Sequence, residues 1–455
     1  MKVLLSVAAF LPYSYGGGEI YVHRLARTLR ARGHDAEVFT AVPETRRGAP
    51  EAPETYEVDG IPVHTFRPEP TDWRERHAGH GPGTIAAIAR IVERVRPTLV
   101  HANGWKPSTV EACRNLGVPY VTTVHHAGVV CPAGTLVTPN GEICGRAMAA
   151  RACVPCANRC RRPRWGVGHI LGSLPAAVYR RLGARLYASP RLSWTGRGLI
   201  HPWLVEQAIE IKRALLSGGS PLIAPSEYVR DLLVRNGCDP SQVVKVPHGV
   251  EPLPRTPLPS LTDRRVRLGY VGRIERHKGL HVLLSALEHV QGGEGCELHV
   301  YGAPKNVWDH EYVRSSLARY RGRHDVKLHG KIGPGELATA YSSFDVLVVP
   351  SLLPEAFGLV VLEAYSAGRP VVVFGSGALP ELVRDGIDGI VVRRGDVPGL
   401  AAALQRLVAD PTIVAGMAAR LPAVMDMDSH ATALLPVYER VIEADAKRRT
   451  DGADS

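Results

Sequence analysis

The sequence predicts an α/β protein made of two doubly wound, parallel-sheet domains. Three observations lead there. Short apolar strand segments alternate with amphipathic helical segments along most of the chain. The series is broken by Glu251–Ser260, with four prolines in ten residues, and starts again at Val266. At 455 residues, the chain exceeds what one core ordinarily fills.

Taken in order, Val3–Val7 reads as the first buried strand, followed by Gly16-Gly17-Gly18 and a helix through Arg32, closed by Gly33. Strands follow at 36–40 and 61–66, a helix at 84–96, a strand at 98–102, a helix at 108–116 and a strand at 119–124. A Cys- and Arg-rich insertion, 131–164, then interrupts the pattern. The sheet resumes at 221–225, with a helix at 226–236 that Ser226 can cap and a strand at 243–247. The second series runs from 266 to about 390, and a last helix, 431–446, leads into a polar tail expected to fray. The expected domains are therefore 1–247, 248–430, and a helix with its tail, 431–455, packing back on the first.

Apolar residues are 45% and charged residues 22%, the mix of a globular protein in water. The apolar runs are strand-length, and the first leads into Pro12 and the glycines, so it reads as a strand and not a signal peptide. A cytoplasmic protein is expected. The net charge is +11, with arginine well above lysine. A solvated surface under codon bias explains that; so does attraction to nucleotide diphosphates or to the anionic inner face of a membrane. The basic residues are spread along the chain and no nucleic-acid module is present, so nucleic acid is not an expected partner.

The chemistry concentrates in Ser351–Gly368. Glu355 falls in the loop after an apolar strand, and Glu363 on the helix that follows. Ligands bind at that edge of an open α/β sheet, and free N–H groups at the helix start favour an anion. Carboxylates beside an anion site suit a ligand with both phosphates and hydroxyls, as in a sugar nucleotide. Gly269–Gly279 is a second strand, Gly turn and helix start, carrying Arg273 and Lys278. Two cations there are unfavourable unless an anion lies between them; a diphosphate fits, and a surface pair is the plainer alternative. Gly16-Gly17-Gly18 allows close backbone approach, though a plain tight turn explains it equally.

These motifs together resemble family 4 glycosyltransferases of the GT-B fold. The matching residues are Gly272-Arg273, Lys278-Gly279, Glu355 with Glu363, Ala224–Val229, Val246–Val250 and the Gly loop with Gly33-His34. His248 departs from the family's usual Asn. The resemblance implies two Rossmann-like domains facing across a cleft, the first binding the acceptor and the second the donor. It implies that Arg273 and Lys278 hold the donor diphosphate, Glu363 the ribose hydroxyls and Glu355 the transferred sugar. The backbone of Phe357, Gly358 and Leu359 would meet the phosphates, Ile332, with Lys331, the nucleobase, and Gly16 to Gly18 the donor from the other domain. His125 matches a family His near the transferred sugar; the next residue, often Asp, is His126 here. The implied reaction is retaining transfer from a nucleotide diphosphate sugar, most readily a UDP-sugar, to a hydroxyl of a glycan, lipid-linked or small-molecule acceptor. His125, Arg273, Lys278 and Glu355 would be the catalytic set, with no catalytic metal. Rival expectations are a non-catalytic nucleotide-sugar or glycan-binding protein on the same fold and a pyridoxal-phosphate phosphorylase, for which no Schiff-base lysine is assignable.

The insertion holds Cys131, Cys144, Cys153, Cys156 and Cys160. Cys153 and Cys156 form a C-x-x-C knuckle that, with Cys131 and Cys144, offers four thiolates for a structural zinc. Similar stretches in some family members favour that set, with Cys160 as the alternative ligand. Free buried thiols and an iron–sulfur cluster stay open. The basic run Arg159–Arg164 with Trp165 suits anionic lipid, a phosphate-bearing acceptor or plain solvation.

Overall fold

The computed structural model describes residues 1–42, 54–67, 80–104, 106–161, 176–188, 197–258, 265–290, 296–304, 312 and 325–453. The chain divides into two compact units, Met1–Pro247 with Met427–Ser455, and His248–Asp426.

The first unit is built on eight strands in the order β3-β4-β2-β1-β5-β6-β7-β8. These are β1 Lys2–Val7, β2 Asp35–Ala41, β3 Thr55–Val58, β4 Ile61–Phe66, β5 Leu99–Ala102, β6 Tyr120–Thr123, β7 Leu222–Ala224 and β8 Val243–Lys245. All pairs are parallel except β3 with β4. That hairpin turns on Asp59 and Gly60, both at positive φ (50° and 77°), the geometry that suits an Asp-Gly pair. Sequence reading missed β3, although Asp-Gly between apolar runs was its signal. Strand order reverses where β5 returns to lie beside β1. There a Cβ on Gly104 would lie 2.3 Å from the backbone nitrogen of Ala8, so only glycine lets the two strand ends approach.

Helix α1 (Gly17–Ala31) buries Tyr21, Val22, Leu25 and Leu29 on one face of the sheet. Other helices that place functional side chains are α2 (Lys106–Leu116), α3 (Ala150–Arg161), α4 (Arg197–Leu216) and α5 (Glu227–Arg235). Ser226 caps α5, its hydroxyl accepting from the Val229 N–H at 3.2 Å. The last helix spans Met427–Ala453, longer at both ends than the expected 431–446. Arg32 holds Asp428 near its start, and Arg449 near its end pairs with Asp445 and donates to the Gly117 carbonyl. Those bonds order turns that a polar composition suggested would fray.

Inside this unit the last helix is tied to the sheet by a buried polar chain. His101, fully buried on β5, bonds Tyr438 Oη through Nδ1 (2.7 Å) and Thr123 Oγ1 through Nε2 (2.6 Å). His430 donates from Nδ1 to the Pro247 carbonyl (2.6 Å) and lies 2.9 Å from Tyr21 Oη through Nε2. Burial holds both imidazoles neutral, His101 at about 3 and His430 at about 4.

The second unit has six strands, all parallel, in the order β11-β10-β9-β12-β13-β14. They are β9 Val266–Val271, β10 Cys296–Tyr301, β11 Val326–Gly330, β12 Val346–Val349, β13 Val371–Phe374 and β14 Gly389–Val392. The order reverses between β9 and β12, which places a crevice at the carboxyl ends of those two strands. Helices α6 (Leu280–Leu287) and α7 (Leu359–Ser366) begin there. No helix among the described residues is long and apolar enough to cross a membrane.

The folded pKa values of His101 and His430 lie below the ordinary 6.5. Below that pH the unfolded chain takes up protons that the folded chain refuses. Their contribution is therefore complete above about pH 6.5 and is lost as pH falls, towards about 4 for His430 and about 3 for His101, on the order of a few kcal/mol in all. Melting temperatures across that window are expected to drop, and to drop less steeply in His430→Gln.

Candidate active site

The reversal point of the second unit gathers the residues that the sequence picked out, and glycines make the gathering feasible. Gly279 has φ +76°, and a Cβ there would sit 1.9 Å from the Pro350 carbonyl oxygen. The start of α6 is thus pressed against the end of β12. The Leu352 N–H donates to the His277 carbonyl (2.8 Å), closing the same contact. Gly272 and Gly302 meet equally closely: a Cβ on Gly302 would lie 1.8 Å from the Gly272 oxygen.

Across this seam Lys278 Nζ reaches Glu355 Oε1 at 2.6 Å. Ser351 Oγ donates to the same oxygen at 2.5 Å. Burial alone would raise the Glu355 carboxyl; the Lys278 charge and the bonds from Lys278 and Ser351 outweigh it and hold it below the usual carboxylate range. Glu355 is also pinned through its backbone, its carbonyl accepting from the Ala378 N–H at 2.8 Å. A Cβ on the neighbouring Gly377 would lie 2.2 Å from that carbonyl oxygen.

Arg273 does not share this partner. Its Nη1 lies 2.7 Å from Glu275 Oε1, and His277 Nε2 lies 2.7 Å from Glu275 Oε2. Glu275 is 4% exposed. Burial would raise it, but His277 and Arg273 keep it below the carboxylate range. So the two cations are not held apart by a missing anion alone; each has its own carboxylate. Sequence reading overlooked Glu275. Its signal was spacing: two residues beyond Arg273 on extended backbone, it points the same way.

Gly358, at φ +112°, turns the chain into α7, and Phe357 before it is buried against His248, ring centroids 5.2 Å apart. The Asn-to-His departure is thereby accommodated as a packed ring. Leu359 opens α7. Glu363, 7% exposed on that helix, accepts from Tyr341 Oη at 3.0 Å. Ile332 is half-buried after β11, and Lys331 is exposed. The structure therefore joins Lys278 with Glu355 directly, and sets Arg273, Phe357, Gly358 and Glu363 on loops and a helix of the same sheet edge.

Within the first unit, His125 follows β6, and its Nε2 donates to Asn103 Oδ1 at 2.7 Å. The ring edge of Tyr21 packs on it, centroids 4.9 Å apart. His126 accepts the Gly128 N–H on Nδ1 at 3.0 Å. Gly16 caps α1 from extended backbone, and none of Gly16, Gly17 or Gly18 has positive φ. A Cβ on Gly18 would meet open space, whereas on Gly16 it would lie 2.4 Å from Glu19 Oε2.

The cysteine-rich segment is part helix and part hairpin. Cys153, Cys156 and Cys160 lie on α3, so the C-x-x-C pair is one turn of helix and not a knuckle. Cys144 closes a short hairpin, its N–H donating to the Leu136 carbonyl, and Cys160 Sγ is 3.5 Å from the Val137 carbonyl. All eight cysteines are free thiols. Burial raises Cys156 to about 12, and the nearby charges of Cys160, Cys131 and Cys144 push the same way. Among the described residues, no group of three or more His, Cys, Asp or Glu side chains is placed to hold a metal ion. Cys131 and Cys144 nonetheless lie near enough to act electrostatically on both Cys153 and Cys156, so the segment gathers the four thiols in one region. Arg159 lies in the last turn of α3; residues 162–164 and Trp165 lie outside the described residues.

Two doubly wound sheets, parallel but for the β3/β4 pair, are the two-domain architecture of the GT-B fold, and one carries a Lys–Glu pair at its reversal point. Residues 15–140 match the model for Glycosyltransferase Family 4, and residues 265–410 the one for Glycosyl transferases group 1. A D-inositol 3-phosphate glycosyltransferase of Stackebrandtia nassauensis is 28% identical over 420 residues, covering 89% of this chain and 81% of that protein. A glycogen synthase of Mycobacterium tuberculosis is 25% identical over 464 residues, covering 96% and 94%. Among solved structures, sucrose-phosphate synthase from Thermosynechococcus elongatus superposes with a TM-score of 0.68 at 20% identity, covering 97% of this chain and 99% of that one. Anabaena Alr3699/HepE in complex with UDP and glucose gives 0.61 at 18% identity, covering 98% and 99%. The chain belongs to the family 4 glycosyltransferases and is a nucleotide-sugar-dependent transferase.

Because a Cβ at residue 279 would overlap the Pro350 carbonyl, Gly279→Ala is expected to cost about 3 kcal/mol or more in urea denaturation. Gly18→Ala, which meets open space, is expected to change stability by less than about 1 kcal/mol.

Proposed function

We propose that the His248–Asp426 unit holds a UDP-sugar at the β9/β12 reversal point, and that the other unit presents the acceptor hydroxyl. The observation that supports this most is the Lys278–Glu355 contact of 2.6 Å, made between two loops at that point. One partner is suited to phosphate and the other to sugar hydroxyls. Arg273, set by Glu275, adds a planar fork for a second phosphate oxygen. Free N–H groups at the start of α7, following Gly358, add a partial positive charge. Glu363 carries two carboxylate oxygens, which suit a pair of ribose hydroxyls. UDP is favoured over other carriers because the Anabaena relative was solved with UDP and with UDP-glucose.

The chemistry follows from these charges. As the bond from the sugar to the diphosphate breaks, negative charge grows on the leaving phosphate. Lys278 and Arg273 stabilise it, an effect larger in the transition state than in the bound donor. The leaving phosphate oxygen takes the proton of the acceptor hydroxyl, which attacks from the same face, so configuration is retained. Neither Glu355 nor Glu363 acts as nucleophile; both hold the donor. In the first unit Asn103 orients His125, the residue that the resemblance assigns to the transferred sugar. The acceptor is a hydroxyl of a glycan, lipid-linked saccharide or small molecule, and the protein works in the cytoplasm, with the inner membrane face as its site if the acceptor is lipid-linked.

The test is slow hydrolysis of a panel of UDP-, ADP- and GDP-sugars by the full chain. Turnover of a UDP-sugar is expected, with Lys278→Ala and Glu355→Gln each losing about 100-fold in rate. Turnover only of ADP-sugars would reassign the carrier. Unchanged rates in both variants would remove the site assignment, and donor binding without any turnover would favour the non-catalytic reading.

A further inference from the structure

Behind His125, in the first unit, runs a buried chain of hydrogen bonds that the transfer chemistry leaves unused. His125 itself has two supports. Asn103 accepts its Nε2–H at 2.7 Å, and Tyr21 packs against its ring, centroids 4.9 Å apart and planes inclined by 62°. Asn103 is buried, and its amide has one orientation: Nδ2 donates to the His101 carbonyl at 3.2 Å, so the oxygen faces His125. His125 therefore carries a proton on Nε2, and its neutral form keeps the lone pair on Nδ1.

Tyr21 is fixed in the same way, by groups that permit one direction of donation. The Pro247 carbonyl only accepts, so His430 Nδ1 carries the proton towards it. His430 is neutral, so its Nε2 is an acceptor, and the Tyr21 hydroxyl, 2.9 Å away, donates to it. Tyr21 Oη then accepts from the Thr123 hydroxyl, and Thr123 Oγ1 accepts from His101 Nε2 at 2.6 Å. Neutral His101 takes the Tyr438 hydroxyl proton on Nδ1 at 2.7 Å. Every donor from Tyr438 to His430 thus points the same way along the chain, and all five residues are buried. His101 serves both supports of His125: its carbonyl sets Asn103, and its ring, through Thr123, sets Tyr21. His430 and Tyr438 come from the last helix. Docking that helix needs no polar chain, because Leu434 and Val437 already pack into the same core as Tyr21 and Leu25. The chain adds orientation, since a one-way series of buried hydrogen bonds permits one arrangement of its rings.

We propose that Tyr21 is a positioning residue for His125, and that His430 and Tyr438 of the last helix hold Tyr21 in place. The inference rests on the reading of His125 as the residue beside the transferred sugar, and deepens it. With its Nε2–H committed to Asn103, the neutral ring meets a sugar hydroxyl as an acceptor.

The experiment combines UDP-sugar hydrolysis by the full chain with long-range proton–nitrogen spectra of its histidine rings. Tyr21→Phe keeps the ring and its volume and removes only the hydroxyl, so it is the decisive variant should Tyr21→Leu fail to fold. Tyr21→Phe is expected to lower kcat about tenfold with donor KM within about twofold, because Arg273 and Lys278 are untouched. Tyr21→Leu, which also removes the ring contact, is expected to lose more. In the wild-type chain the His125 nitrogens are expected to report the Nε2–H form, and in Tyr21→Phe to draw together as the two tautomers exchange. His430→Gln is expected to move the same signals in the same direction. A purely structural role would lower the melting temperature and leave the His125 signals where they were. Wild-type kcat in both Tyr21 variants, a loss confined to KM, or unchanged His125 signals in Tyr21→Phe overturns the proposal. The spectra need no turnover. If His125→Ala hydrolyses donor at the wild-type rate, the reading of His125 fails, while shifted His125 signals in Tyr21→Phe still support Tyr21 as the residue that holds the ring.

Discussion

The close seam between the loops after β9 and β12 governs the second unit. Two carboxylates, Glu275 and Glu355, are carried there at half or less of ordinary exposure, and each would be costly alone. Each is kept ionised by a basic partner that the seam brings within hydrogen-bond distance. The seam in turn exists because Gly279 has no Cβ to strike Pro350, and because His277 and Leu352 share a backbone hydrogen bond. Backbone packing thus comes first, and the ion pairs follow from it. A ligand phosphate would join an arrangement already charged and fixed, which is the condition for electrostatic stabilisation without reorganisation.

The two sheets repeat one arrangement. Each reverses strand order once, at β1/β5 in one and β9/β12 in the other. At both points a glycine permits backbone contact too close for any side chain, Gly104 against Ala8 and Gly279 against Pro350. Basic side chains lie near each: Lys106 and Lys212 in the first unit, Arg273 and Lys278 in the second. In the second unit Lys278 and Arg273 each meet a carboxylate, at 2.6 and 2.7 Å; in the first, Lys106 and Lys212 each donate to a backbone carbonyl.

Much of the fold was legible because strand and helix periods differ. The runs 61–66 and 266–271 are strands over those same residues, and Ser226 is the cap its position implied. Glu355 and Glu363 were legible as loop and helix residues because Gly358 and Gly368 bracket the helix. What the sequence hid was pairing over distance: nothing local in Lys278 announces Ser351 as a fellow partner of Glu355, and nothing ties Lys212 to Gly128. In the cysteine segment the helix was not legible, because C-x-x-C spacing suits a metal knuckle and one helical turn alike. The last helix was cut short because long-range bonds from Arg32 and to Gly117 are absent from a composition profile.

The central claim is that Lys278 and Glu355 act on the donor as one unit. A double-mutant cycle on donor turnover tests it most directly, using Lys278→Ala, Glu355→Ala and the pair together. Coupled residues predict that the double variant is scarcely slower than the worse single variant, an interaction on the order of 1–3 kcal/mol. Losses that simply add would contradict the account, because they would mean that the two side chains serve the reaction independently.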